Sequence, residues 1–281
     1  MKYAFSTLGV PAMPVPDVVR LASAAGYQGV ELRAHPEEPV HPGLVAHERR
    51  AVVDEFARAG VEILAVAGYA RVAEAGARPG PESAEADEAV YEELHGLLHL
   101  AADLGAPFVR VFPGGGELDR AEADETAARR LGAAAEVAAD LGVRILVETH
   151  DSHRTGADVA RIAGLVGHKN VGALWDVLHP WAAGEDPAAT HAVLAPYLGY
   201  VQVKDVASAH DTTPLPLGAG VLPLAECLRT IGDDATAGRG EAAVGGQEPW
   251  VCWEYEKRWY PEAAELPPLL AAGLERLRSL S

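Results

Sequence analysis

The stretch ADLGVRILVETH, residues 139–150, decides the fold of this 281-residue chain. It begins as the end of an alanine-rich segment, turns at Gly142, and continues as an apolar run that ends at Glu148 and His150. A glycine placed after the last periodic residue stops a helix, and a short apolar run rich in Val and Ile predicts a buried strand. The stretch therefore predicts a helix that leads directly into a buried strand with polar residues at its end.

The same joint recurs along the chain, as AAGYQGVEL (24–32), ARAGVEIL (57–64) and ADLGAPFVRV (102–111). Working outward from these joints, we predict eight strands, at 3–9, 29–33, 61–68, 107–113, 143–150, 171–177, 200–205 and 250–256. Strands that alternate with helical segments indicate a parallel sheet. Eight such pairs favour an α/β fold with a single (β/α)8 barrel over residues 1–281.

An open doubly wound sheet is the competing architecture, and it would carry a GxGxxG turn after the first strand. No such turn is present there, and the GGG at 114–116 is followed by ELD, which predicts a plain loop. The stretches 76–89 and 231–249 are also predicted as loops, and residues 262–280 as a closing helix.

Composition and charge exclude several classes of function. The chain is 49% hydrophobic and can fill a large core, and its formal charge of -18 argues against a phosphate-backbone partner. Two cysteines, far apart and without a CxxC, support neither a disulfide framework nor a thiolate metal site. The first sixteen residues contain Pro11 and Pro14 and no long apolar run, so we expect neither export nor a membrane anchor, and a cytoplasmic location.

The carboxyl ends of barrel strands meet at one mouth, where active sites of this fold lie. Residues two apart on a strand share a face, so polar pairs at the strand ends point the same way. The predicted strand ends supply Glu31, Glu148, His150, Asp176, His179, Gln202, Lys204, Glu254 and Glu256.

Carboxylates confined together repel one another unless a proton or a cation lies between them. A divalent metal resolves that conflict, and an oxygen-rich set of ligands suits Mg²⁺ or Mn²⁺, with Co²⁺ or Zn²⁺ as alternatives where imidazole is added. The other interpretation is structural: each acid caps a neighbouring helix or pairs with a basic side chain such as Arg110 or Lys204.

The motifs GYQGVEL, LVETHD, WDVLH, VQVKD and CWEYEKRWYP resemble, in order, the strand-end motifs of the xylose isomerase-like TIM barrels, the sugar phosphate isomerase/epimerase group. The resemblance implies a divalent ion held by Glu148, Asp176, Glu254 and a residue of the seventh strand. That residue is commonly a His in the family, and here it is Gln202. Its amide oxygen either completes the ligand set, less favourably for zinc, or only hydrogen-bonds substrate.

The resemblance also implies that Glu148 and Glu254 flank a bound sugar, one removing a proton beside a carbonyl and the other returning it, while the metal stabilises the ene-diolate. The sequence leaves open which of the two glutamates is the base. His179, in the D-x-x-H pattern, is expected to contact a substrate oxygen.

Six further side chains are candidates for substrate contact, each with an alternative. Lys204 either stabilises an oxyanion or forms a salt bridge to Glu254. Glu31 binds a sugar hydroxyl or orients another site residue, and His150 touches substrate or orients Glu148. Trp181, together with Trp259 and Tyr255, either stacks on the sugar or fills gaps under the helices.

These observations predict a metal-dependent enzyme, a sugar or polyol isomerase or epimerase with a small carbohydrate substrate, and leave an inosose-type dehydratase as an alternative on the same site. An apurinic-site endonuclease-like nuclease is a rival that the missing His and the acidic charge oppose. A non-catalytic sugar-binding barrel is the other rival, and Gln202 is the feature that favours it. Family members often form dimers or tetramers, and this sequence does not select between them.

Overall fold

The computed structural model describes residues 1–75, 81–116, 118–236 and 248–280. Eight parallel strands close into a barrel in chain order, with β8 paired to β1. The strands are β1 Lys2–Ser6, β2 Gly29–Arg33, β3 Glu62–Arg71, β4 Phe108–Phe112, β5 Arg144–Glu148, β6 Val171–Asp176, β7 Leu198–Val203 and β8 Trp250–Trp253. The predicted (β/α)8 barrel is therefore confirmed.

Helices lie between consecutive strands and after the last one. They are α1 Val15–Ala25, α2 Ala46–Ala59, α3 Pro81–Leu104, α4 Arg120–Asp140, α5 Gly156–Val166, α6 Leu178–Ala182, α7 Pro187–Leu194, α8 Leu224–Thr236 and α9 Leu270–Leu280. Short 3₁₀ turns occupy Thr7–Gly9 and Pro267–Leu269. Within the described ranges, no helix has both the length and the apolarity needed to cross a bilayer.

The recurring joint of the sequence has a common geometry. Gly26 and Gly142, just past the ends of α1 and α4, adopt φ values of 82° and 67°. This left-handed conformation is strained for residues with a Cβ, and it turns the chain out of the helix so that the next strand can begin. The glycine positions in the sequence thus mark the helix-to-strand turns.

Several predicted boundaries were wrong, and strands β1 and β8 end at Ser6 and Trp253, before the predicted ends at residues 9 and 256. Residues 81–89 and 231–236, predicted as loops, belong to α3 and α8. The Ala- and Glu-rich residues 81–89 favour a helix, and Pro81 stands at the first helical position, where its missing N–H costs nothing. The remainder of those two predictions, 76–80 and 237–247, lies outside the described residues. The last helix begins at Leu270 instead of Glu262, because Pro267 and Pro268 interrupt the ladder of backbone hydrogen bonds.

Both faces of the barrel strands are buried, and different sets of residues pack on each face. The inner face is filled by a compact cluster of Ala4, Leu64, Ala65, Leu146, Leu174, Tyr200, Trp250 and Cys252, while a larger apolar layer lies between the strands and the helices. Leu146 precedes Glu148 by two residues, and Leu174 precedes Asp176 in the same way. The period of two therefore carries the inner face directly from packed apolar residues to the acids at the mouth.

Candidate active site

Three buried carboxylates from three strand ends meet at the mouth of the barrel. One oxygen each of Glu148, Asp176 and Glu254 lies within 4.8 Å of the other two, and all three side chains are buried. We call these residues the strand-end cluster. The register brings them together, because Asp176 pairs with Gln202 and Gln202 pairs with Cys252, which stands two residues before Glu254.

Gln202 lies between two of the acids. Its Nε2 donates to both oxygens of Glu31, at 3.1 and 2.9 Å, and to Glu254 Oε1 at 3.1 Å. The amide oxygen Oε1 is buried and has no hydrogen-bond partner among the described residues. Because the carboxylates hold the nitrogen, the oxygen is the atom of Gln202 that is free to act as an acceptor or a ligand.

Glu31 holds the Gln202 amide in place. Tyr200, which the sequence analysis missed, donates its hydroxyl hydrogen to Glu31 Oε2. Burial raises the pKa of Glu31, and the nearby Glu254 raises it further. Glu31 thus contacts a second site residue, and its contact with a sugar hydroxyl stays a prediction. Tyr200 carried a usable signal, since it lies on β7 at the same parity as Gln202.

Lys204 supplies a cation to the mouth. Its Nζ is 2.8 Å from Asp176 Oδ2 and 2.5 Å from Glu256 Oε1, and it also contacts Glu254 Oε2. Burial lowers the pKa of this ammonium, but the three carboxylates outweigh burial and hold the pKa well above its usual value. The salt bridge to Glu254 predicted from the sequence is present, and Lys204 is charged in this site.

Arg110 on β4 is the second cation. Sequence reasoning treated it only as a structural partner for acids, yet its Nε is 3.2 Å from Glu148 Oε2. The guanidinium lies over the Phe112 ring, 4.0 Å from its centroid, and is 2% exposed as a residue. The sequence does contain a signal for Arg110, because it is a charged residue at an inward-facing position of an otherwise apolar strand.

The charges give the two acids of β5 and β6 different proton affinities. Burial raises the pKa of Glu148 to about 8, with Arg110 opposing and Glu254 adding to the rise. Burial also acts on Asp176, but Lys204 and then His179 outweigh it and lower the pKa of that carboxyl. The pKa of Glu148 therefore lies above its usual range, whereas the pKa of Asp176 lies below it.

His179 and His150 stand beside the strand-end cluster. His179 Nε2 is 3.6 Å from Asp176 Oδ2, buried, and without a hydrogen-bond partner among the described residues. The His150 ring contacts the His179 ring, with 4.2 Å between centroids, and His150 Nδ1 lies 2.8 Å from Asp151 Oδ1. Substrate contact by either imidazole stays a prediction.

The aromatic candidates separate into different environments. Tyr255 is buried, packs edge to face on Trp253 and donates its hydroxyl to the Ala264 carbonyl, so it fills the layer behind the barrel instead of stacking on a ligand. Trp181 is half-buried and packs against the apolar layer, and its proposed substrate contact stays a prediction. Trp259 is 51% exposed.

Asp205, the last residue of YVQVKD, organises the loop after β7. Its carboxylate accepts backbone N–H groups from Gly218 at 2.8 Å, Gly220 at 2.9 Å and Leu222 at 3.2 Å. The stretch LGAGVLPL (217–224) is therefore a turn folded around one carboxylate. Asp205 keeps this loop in place beside Lys204.

The donor set fits a divalent cation. Buried Gln202 Oε1 has no hydrogen-bond partner in the described part of the chain, while Glu148 Oε2 and Asp176 Oδ2 have ion-pair contacts with Arg110 and Lys204 but no hydrogen bond of good geometry. Buried acceptors of this kind are costly unless something pairs with them, and carboxylate and amide oxygens are ligands for hard divalent ions.

A family model described as "Xylose isomerase-like TIM barrel" matches residues 19–280. The chain belongs to this family, as its strand-end motifs predicted. A comparison with curated protein sequences gave no significant match.

Several solved structures have the same fold over the whole chain. D-psicose 3-epimerase with D-tagatose, from Clostridium cellulolyticum H10, has a TM-score of 0.80 at 16% identity, covering 100% of this chain and 99% of that chain. The IOLI protein with a bound zinc atom has a TM-score of 0.79 at 17% identity, with coverage of 100% and 99%. The probable 3-DHS dehydratase AsbF from Bacillus anthracis has a TM-score of 0.77 at 19% identity, with coverage of 99% of both chains. At these identities the likeness establishes the fold alone.

Proposed function

We propose that this protein is a divalent-metal-dependent isomerase or epimerase of a small sugar or polyol, which works by proton transfer beside a carbonyl. The observation that carries the proposal is the strand-end cluster, in which Glu148, Asp176 and Glu254 offer three oxygens within 4.8 Å at the barrel mouth. That the D-psicose 3-epimerase has this fold makes carbohydrate the first substrate class to test.

The two glutamates would carry the proton. Glu148 and Glu254 reach the mouth from β5 and β8, strands that are not neighbours in the barrel, so substrate bound between them would meet one carboxyl on each side. A general acid or base works best when its pKa is near the operating pH. In the metal-free site burial raises the pKa of Glu148 to about 8, and a bound divalent ion would bring it down again, so Glu148 could accept a proton from carbon and return one.

The residues at the mouth would also hold the metal ion and position the substrate. Glu148, Asp176 and Glu254 would hold the divalent ion, with the unpaired Gln202 Oε1 as a fourth ligand. When bound, the ion would polarise the substrate carbonyl and stabilise negative charge on adjacent oxygens. Lys204 would keep the acids in place, and the unpartnered His179 Nε2 would bind a substrate oxygen.

Deuterium exchange tests the proposal. The protein is loaded with Mn²⁺ and incubated in D₂O with ketoses such as D-psicose, D-tagatose and D-fructose, and NMR follows deuterium at the carbon beside the carbonyl and the formation of epimer or isomer. We expect exchange with the wild type and a loss of about 10² to 10⁴-fold in Glu148→Gln and Glu254→Gln, the range for a lost general acid or base.

The matched control is Glu136→Gln, an acid on α4 that is 85% exposed, which should exchange like the wild type. Wild-type exchange that survives both Glu148→Gln and Glu254→Gln would contradict the proposed roles. Absence of exchange and of bound metal in the wild type, together with sugar binding, would instead identify a binding barrel.

A further inference from the structure

Two histidines on α3 stand outside the barrel and take no part in the proposed reaction. His95 and His99 are one helical turn apart, and they are the only two of the eleven histidines in the sequence that are spaced four residues apart. Side chains at this spacing are neighbours on one face of a helix. Both residues are half-buried, so part of each remains accessible to solvent. We call these two residues the helical histidine pair.

The two rings bring the same nitrogen toward each other. Nε2 of His95 lies 3.1 Å from Nε2 of His99, and the ring centroids are 4.3 Å apart with 61° between the planes. Tyr91, one turn earlier, places its ring 6.0 Å from that of His95 between centroids. His95 therefore lies between two aromatic rings, which restrict the orientations that it can adopt.

The distance between the two nitrogens fits a shared metal ion. Transition-metal ions bind histidine nitrogen at about 2.0 to 2.1 Å. At that bond length, two nitrogens 3.1 Å apart subtend an angle of about 100° at one ion. This angle lies between the right angle of a square-planar or octahedral site and the tetrahedral angle. The pair therefore offers two ligands to one ion with little movement of either ring.

A hydrogen bond between the rings also accounts for the distance in the metal-free protein. One imidazole then donates its Nε2 hydrogen to the Nε2 lone pair of the other. A metal ion takes the place of this hydrogen, because binding requires both nitrogens to be unprotonated and releases the proton. The hydrogen bond thus holds the rings in an arrangement that an ion can use directly.

The charges along the same helix face favour a cation. Glu92 stands three residues before the pair, and Asp103 stands four residues after it. Glu92 is exposed, and the Asp103 side chain is 55% exposed although it pairs with Arg49. Carboxylates at these positions attract a positive ion and oppose an anionic ligand. Imidazole nitrogens favour Ni²⁺, Cu²⁺ and Zn²⁺ over Mg²⁺ or Ca²⁺.

We propose that the helical histidine pair is a transition-metal site on the outer surface of the barrel, which binds Ni²⁺, Cu²⁺ or Zn²⁺ through its two Nε2 atoms. An ion held in this way connects two turns of α3 and stabilises the helix that packs against β3 and β4. The inference goes beyond the proposed function and does not rest on it, because neither histidine belongs to the mouth.

Retention on immobilised Ni²⁺ tests the inference. The full chain without an affinity tag is passed over Ni²⁺ held on a nitrilotriacetate resin and eluted with an imidazole gradient. The acids of the strand-end cluster are buried, so an ion fixed to a resin does not reach them, and retention reports surface histidines. We expect the wild type to be retained and both His95→Ala and His99→Ala to elute in the wash, because one imidazole alone lacks the second, intramolecular ligand.

His47→Ala and His210→Ala are the matched controls. Both histidines are exposed, and neither has another histidine four residues away. These variants should be retained like the wild type. Full retention of both His95→Ala and His99→Ala, or an equal loss in either control, would overturn the inference.

A measurement on the wild-type protein covers variants that fold poorly. Ni²⁺ is added below one equivalent in the presence of excess Mg²⁺, which prefers oxygen ligands to imidazole, and NMR spectra follow the histidine ring signals. The paramagnetic ion should broaden the signals of His95 and His99 first, while those of His47 and His210 persist. Uniform broadening of all histidines, or broadening confined to other histidines, would contradict the proposed site.

Discussion

Lys204 and Arg110 determine whether the acids at the mouth can be buried together. Removing one partner of a buried ion pair is far more costly than the pair's net stabilisation, because it leaves a charge without compensation. Lys204 compensates three acids at once, and Arg110 stands beside Glu148. These two residues, which carry no proton in the proposed reaction, set the electrostatics in which the glutamates work.

The Lys204→Met substitution is a direct test at this scale. It keeps most of the side-chain volume and removes the charge, so the metal-free protein should lose about 3 to 5 kcal/mol of unfolding free energy. Added Mn²⁺ should then raise Tm more in the variant than in the wild type, because the ion replaces the lost positive charge. Thermal unfolding with and without Mn²⁺ measures both effects.

Lys169→Met is the control, since Lys169 is exposed and should behave like the wild type. A smaller Mn²⁺ shift in Lys204→Met than in the wild type would show that Lys204 does not share its acids with the ion.

Single side chains also join whole elements outside the mouth. Asp124 on α4 accepts from His153 Nε2 at 2.9 Å and from Arg161 on α5, whose Nη2 is 3.2 Å away. His153 lies in the segment that follows β5 and carries His150, so this carboxylate connects two helices to the β5 loop. Burial opposes ionisation of Asp124, but Arg161 and His153 outweigh it and lower its pKa.

This lowered pKa predicts a pH-dependent stability. A carboxyl whose folded pKa is below its unfolded value stabilises the fold above the unfolded pKa of about 3.9, and the stabilisation is lost as pH falls through the folded value. Asp124→Asn should therefore lower the unfolding free energy by about 2 kcal/mol at pH 7. Urea unfolding from pH 7 to 3 should show the two proteins converging below about pH 4, and a constant difference would contradict the assignment.

At the scale of the element, we expect two glycines inside helices to respond in opposite ways when alanine replaces them. A Cβ at Gly132 in α4 would meet nothing within 4 Å, whereas a Cβ at Gly273 in α9 would overlap the Trp253 indole on β8. Gly132→Ala should stabilise the protein by about 0.5 to 1 kcal/mol through helix propensity. Gly273→Ala should destabilise it by about 1 to 3 kcal/mol because α9 must move off the barrel.

Chemical denaturation of the two variants measures this contrast, and each serves as the control for the other. Stabilisation by both substitutions would mean that α9 packs less closely on β8 than the structure has it.

At the scale of the whole molecule, the net charge of -18 argues against binding to nucleic acid. A phosphate backbone binds through lysines and arginines that release counterions, and an excess of acids opposes that binding. We expect no binding to duplex DNA containing an abasic site at physiological ionic strength, with or without Mn²⁺. Fluorescence anisotropy of labelled duplex checks this, and salt-sensitive binding would revive the nuclease interpretation.

Local sequence determined the barrel and the residues that reach its mouth. A glycine after each of the helices α1 to α5, an apolar run that follows and a period of two along the strands depend only on neighbouring residues, so eight strands and the inward parity of Glu148, Asp176 and Glu254 could be predicted. The start of α3, the end of α8 and the start of α9 were predicted wrongly. The composition around Pro81 indicated a loop, and the prediction ran the last helix through the Pro267–Pro268 pair.

Only the tertiary structure decided which charges meet. Tyr200 on Glu31, Gln202 between Glu31 and Glu254, and Arg110 on Glu148 join strands that are far apart in sequence. Those contacts, with burial, set the pKa of Glu148 and leave one oxygen of Gln202 unpaired. The physical reason is that electrostatic interaction and desolvation depend on distance and burial in three dimensions, which closure of the barrel creates and which no local pattern encodes.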